Sequence, residues 1–145
     1  MSSSHPIVCP GHTRAIRDLR YSNPTEDGIF LISGTHDGQP MLRSAETGDW
    51  IGTFDGHKGA CWSATLNFDA TKALTAAADN SMRYWDALSG DCIKTFEHGH
   101  IVVKTCDLNS VSSELSLYNV ACQADLTSTY YIHHHLPTLN ETLPF

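Results

Sequence analysis

The 145 residues are 41% hydrophobic and 17% charged, which suits one domain with its own core and excludes disorder throughout. A net charge of −7 with 9 Lys and Arg argues against broad nucleic-acid binding, which needs a basic surface. No stretch approaches the ~18 apolar residues of a membrane helix.

Residues 1–10 form a lead-in, and the opening Met1 to Pro6 has neither a basic region nor an apolar run, so no signal peptide is expected. From Gly11 onward, short alternating segments are divided by Asn-Pro, Asp-Gly and Thr-Gly turns. Strands are predicted at residues 15–21, 29–33, 40–43 and 50–54, making a first unit of residues 11–55. A second unit, residues 56–98, carries predicted strands at 60–66, 72–76, 81–85 and 92–96. The run Ala76-Ala77-Ala78 favours helix in isolation. Its place in the second unit assigns it instead to an inner strand, where small residues pack well. A third unit, residues 99–132, opens with Gly99-His100 and then loses the pattern over a Ser-rich stretch. Two readings stay open there: a diverged third unit, with Ala121 to Asp125 as a turn before its third strand, or a non-native tail. Residues 133–145 fit no unit and are expected to be a tail.

The units are repeats. Gly11-His12 returns as Gly56-His57 and Gly99-His100, Thr47-Gly48-Asp49 as Ser89-Gly90-Asp91, and Asp37 as Asp79. A period of roughly 43 residues, with Gly-His at one end and Trp85-Asp86 at the other, is the signature of WD40 blades. The expected fold is all-β: a partial WD40 β-propeller with two clear blades and a degenerate third, too short for a closed ring of about 4–8 blades. Open blade faces and unpaired edges imply marginal stability unless the chain self-associates or binds a partner.

Each repeat carries a His, a hydroxyl and an Asp: His12, Ser33 and Asp37, then His57, Thr75 and Asp79. These types can build a hydrolytic triad. An active site is needed once, however, and not once per repeat. With Trp85 the second set is expected to be a structural tetrad, a buried hydrogen-bond network that rigidifies its blade. Arg43 stands where the first repeat would hold its tryptophan, so it is expected to meet a carboxylate or a partner. Trp50 opens an outer strand and is expected to be a partner contact, while Trp62 is expected in the core. Arg14, Arg17 and Arg20 read as a solvated strand edge, Arg14 and Arg20 on one face. His133, His134 and His135 cannot all converge on one ion from an extended backbone. Cys9, Cys61, Cys92, Cys106 and Cys122 are odd in number and lack a C-x-x-C pair. They read as reduced thiols of a cytoplasmic or nuclear protein. No catalytic, cofactor or metal site is expected.

Asp37-Gly38-Gln39-Pro40-Met41-Leu42-Arg43, Thr47 to Phe54, Gly56-His57-Lys58-Gly59-Ala60, Asp69-Ala70-Thr71-Lys72-Ala73, Ala76 to Asp79 and Trp85 to Asp91 go beyond a generic blade. Over about residues 7–107 the chain resembles the N-terminal blades of the serine-threonine kinase receptor-associated family of WD40 proteins. That resemblance implies a seven-bladed, non-enzymatic scaffold. Its implied partners are the SMN complex, which assembles spliceosomal small nuclear ribonucleoproteins in mRNA splicing, and the TGF-β receptor with inhibitory Smads. The i subunit of eukaryotic translation initiation factor three is similar in its opening blades. A truncated chain without an independent role is the other alternative.

Overall fold

The computed structural model describes residues 5–97, 102–110, 116–125 and 128–135, which form strands and turns and no helix. The first blade comprises β1 (Ile16–Tyr21), β2 (Phe30–Thr35), β3 (Met41–Ser44) and β4 (Trp50–Thr53). The second comprises β5 (Cys61–Leu66), β6 (Lys72–Ala77), β7 (Ser81–Asp86) and β8 (Cys92–Glu97). Each is an antiparallel meander in chain order. The predicted strands fall in place to within two residues. Ala76 and Ala77 end β6 and are fully buried, and Ala76 pairs with Met82.

Turn chemistry repeats where backbone demands it. Gly38 and Asn80 occupy the same repeat position, with φ of 75° and 62°. Glycine tolerates that left-handed region and asparagine is among the few other residues that do. A Cβ on Gly38 would also stand 2.7 Å from the Gly59 carbonyl of the next blade. The longer turn of the first repeat closes through a backbone pair between Thr25 and Gly28, at 3.0 and 3.2 Å.

The core lies between blades. Ile32, Leu42 and Phe54 of the first blade pack on Ala64, Leu66, Ala73 and Trp85 of the second. On the second blade's far side, Leu74, Met82, Tyr84 and Phe96 pack on Val103 and Cys106. Those two belong to β9 (Val103–Ser110), which joins β10 (Ser116–Asp125) and β11 (Ser128–His135) in a three-stranded antiparallel sheet. Residues 121–125, a turn on one of the two open readings, instead continue β10, with Ala121 opposite both Thr105 and Tyr131. β11 reaches His135, opposite Leu117, so its backbone enters the stretch expected as tail. Gly99-His100 and residues 136–145 lie outside the described residues.

One hydrogen-bonded chain crosses all three sheets at their innermost strands. Ser63 Oγ donates to Asp18 Oδ2 at 2.8 Å and accepts from the Cys106 amide at 3.3 Å. The Ala64 amide also donates to Asp18, at 3.2 Å.

The lead-in is seated on the first blade. A Cβ at Gly48, which has φ of 78°, would stand 2.5 Å from Ile7 and 3.1 Å from Cys9 Sγ. Only a glycine lets the strap approach this turn so closely.

Candidate functional site

The second repeat brings His57, Thr75, Asp79 and Trp85 into one network. Trp85 Nε1 donates to Thr75 Oγ1 at 2.8 Å, and His57 Nε2 lies 2.6 Å from the same hydroxyl. His57 Nδ1 lies 3.1 Å from Asp79 Oδ2. A carboxylate only accepts, so Nδ1 carries the imidazole proton and Thr75 donates to Nε2. Asp79 also accepts from the Lys58 amide at 2.9 Å, the Ser81 amide at 3.1 Å and the Ser81 hydroxyl at 2.7 Å. Burial lowers the His57 pKa below its ordinary value despite Asp79, so the ring is neutral. Burial opposes ionisation of Asp79, but the Lys58 amide, Ser81 and His57 outweigh it and hold the carboxyl low.

The chemistry of this set is closed to substrate. The His57 side chain is wholly buried, as is Thr75, and the hydroxyl that would attack already accepts from an indole. A nucleophile needs a free line of approach. Here each polar atom serves another in the blade.

The first repeat brings His12, Ser33 and Asp37 together less completely. His12 Nε2 lies 2.7 Å from Ser33 Oγ, while His12 Nδ1 stands 3.5 Å from Asp37 Oδ2 without a formed hydrogen bond. Asp37 accepts from Thr35 Oγ1 and from the amides of Gln39 at 3.0 Å and Thr13 at 3.3 Å. Ser33, with no indole to serve, lies 3.3 Å from the Met41 carbonyl.

Arg43 departs from the expectation of a carboxylate partner or an outer contact. It is only 3% exposed. Its guanidinium donates to the carbonyls of Gly48, at 3.2 Å, and Pro10. A planar group with five donors can satisfy main-chain acceptors that an indole cannot. Trp50 is 60% exposed, and its indole donates to Thr53 Oγ1 at 3.1 Å. Trp62 is partly buried rather than core, with the Arg17 guanidinium 4.3 Å over its ring and His36 edge-on at 5.5 Å. Arg20 pairs with Asp18 at 3.2 Å and Asp107 at 3.4 Å, whereas Arg14 precedes β1 and shares no strand face with it.

Cys9, Cys61, Cys92 and Cys106 are free thiols. Burial pushes Cys106 up to about 12 and raises Cys61 as well, so neither presents a thiolate. No cluster of three or more metal-ligating side chains occurs among the described residues. No helix of the described residues is long and apolar enough to cross a membrane.

Two sets escape sequence reasoning. Ser81 completes the second network, but its repeat counterpart is Gln39, which binds Asp37 through its amide only. Asp18, Ser63 and Cys106 share one repeat position, a signal hidden by three different residue types.

The chain is similar to known proteins. The family model WD40: WD domain, G-beta repeat, matches residues 48–86. The chain is 59% identical over 110 residues to serine-threonine kinase receptor-associated protein of Homo sapiens, covering 76% of this chain and 31% of that protein. The protein of the same name from Dictyostelium discoideum is 50% identical over 110 residues, covering 76% and 37%. Eukaryotic translation initiation factor 3 subunit I of Caenorhabditis elegans is 32% identical over 127 residues, covering 88% and 37%. The chain thus spans 31% to 37% of the length of these curated relatives.

Proposed function

We propose that this chain, a WD40-repeat protein related to serine-threonine kinase receptor-associated protein, is a non-enzymatic scaffold that associates with a serine-threonine kinase receptor and with the SMN complex. The observation that supports this best is the buried tetrad of the second blade. Its polar chemistry faces inward, so what the chain offers to others is loops, outer strands and blade faces. The receptor is suggested by the relative's name, and the TGF-β pathway with inhibitory Smads is part of the same proposal. Assembly of spliceosomal small nuclear ribonucleoproteins, and residence in both cytoplasm and nucleus, extend it.

The test uses the full chain against the immobilised cytoplasmic kinase domain of a TGF-β receptor, with SMN-complex precipitation from lysate alongside. Saturable receptor binding and recovery of the chain with SMN are expected. Binding to neither overturns the proposal. The alignment with translation initiation factor 3 subunit I reaches further along the chain, 127 residues against 110, and keeps a second reading in view. Recovery of initiation-factor subunits in place of SMN would favour it. Recovery with chaperones alone would mark a chain without an independent role.

A further inference from the structure

Between the outer strand of the first blade and the 87–91 turn of the second runs a groove of about 260 Å³. Leu42, Phe54 and Ala87 are its buried lining, and Trp50, Ile51 and Leu88 are its exposed apolar lining. Leu88 is 84% exposed, more than any other large apolar side chain among the described residues, and Trp50 lines the same groove at 60%. Gly52 belongs to the lining, and a Cβ built there meets nothing within 4 Å. The volume falls below the ~300–1,000 Å³ of pockets that enclose whole small ligands. It suits one or two side chains entering from outside.

The residues that flank the lining strand and turn in sequence are acidic. Asp49 precedes Trp50, Asp55 follows Phe54 and Asp91 follows Gly90, and all three residues are exposed. None of these carboxylates has an ion-pair partner among the described residues. The nearby Lys72 is held by Asp86 at 2.6 Å. Acidic flanks repel an acidic segment and attract a basic one, and tryptophan is among the residues enriched as interface anchors.

We infer that this groove binds a short peptide segment of a partner protein, with a bulky apolar side chain seated beside Trp50 and Lys or Arg on either side of it. The inference rests on the scaffold function and gives it a docking site. It needs only the two blades that border the groove.

The test is fluorescence anisotropy of a labelled hexapeptide, Lys-Lys-Leu-Phe-Lys-Lys, titrated with the full chain. Saturable binding is expected, weakened about tenfold or more by Trp50→Ala and by Gly52→Leu, as for an interface anchor. Gly52 lies on an outer strand without a left-handed φ, so leucine fills the groove without backbone strain. An unchanged near-ultraviolet circular dichroism spectrum checks that the variant is folded. Asp49→Asn with Asp91→Asn is expected to weaken binding about threefold and to flatten its salt dependence. Equal binding of a Glu-Glu-Leu-Phe-Glu-Glu peptide, equal binding to Gly52→Leu, or no saturation would each overturn the inference. If the receptor domain binds wild type and Gly52→Leu alike, the groove falls while the scaffold stands. If the hexapeptide binds as expected and the receptor domain does not, the groove stands and its partner lies elsewhere.

Discussion

In the second blade the indole of Trp85 both donates to Thr75 and packs 5.5 Å from Phe54 of the first blade, whereas the matching place in the first blade holds Arg43. The two side chains solve one geometric position against different neighbours. Trp85 faces a blade, which offers apolar surface. Arg43 faces the strap of residues 5–10 and its own turn, which offer carbonyls. The strands tell the same story. Leu66 is 9% exposed beneath the first blade, while its repeat counterpart Tyr21 is 67% exposed on a face that no described blade covers. A repeat sequence therefore does not fix the environment of its residues; the neighbour does.

Breaking that contrast should begin at Trp85. Trp85→Ala removes a buried indole from the interblade core and leaves the Thr75 hydroxyl short of a donor. It should cost about 3–5 kcal/mol, read as a lowered urea midpoint by far-ultraviolet circular dichroism. Leu66→Ala should cost about 2–4 kcal/mol and Tyr21→Ala within about 0.5, since only the first empties a packed space. Similar losses for both would mean that Tyr21 is covered in solution. Removing the carboxylates ranks next. Asp79→Ala strands the His57 proton, an amide pair and Ser81, and should cost about 2–3 kcal/mol. Asp37→Ala should cost less, because His12 has no formed bond to it.

Acid should sharpen the contrast further. Burial holds His57 below its ordinary 6.5, so the unfolded chain takes that proton first, and stability is lost as the pH falls below 6.5. Asp79 is held below its ordinary 3.8, so its contribution is lost as the pH falls below that value. Both act in the same direction. The urea midpoint should drop between about pH 7 and 5, and His57→Gln should flatten that drop more than His12→Gln, whose ring is less deeply enclosed. The smallest effect is expected at Asn80→Gly. Gly38 already occupies that turn in the first blade, so relief of the left-handed backbone should nearly offset the added unfolded-state freedom, leaving a change within about 0.5 kcal/mol.

Much of this was legible in the residues. Turns such as His36-Asp37-Gly38 and Ser89-Gly90-Asp91 mark strand ends because few residues tolerate their backbones, and the tetrad of His57, Thr75, Asp79 and Trp85 announces itself through side chains that recur. The burial of Arg43 was not legible, because its partners are carbonyls, which leave no trace in residue identity. Arg17 over Trp62 joins two blades, and no spacing within one repeat reports it. Past Asp107 the repeated turn residues stop, and there residues 121–125, a turn on one of the two open readings, take part in strand pairing on both sides of β10.

The hydroxyl of Ser63 holds the first sheet through Asp18 and the third through the Cys106 amide, so it belongs to no single blade. In a linear array whose stability is a sum of unit terms and junction terms, such a hydroxyl contributes to two junction terms at once. Ser63→Ala should leave each sheet intact yet loosen both seams at once. The array would then come apart as separately melting pieces where the parent melts as one.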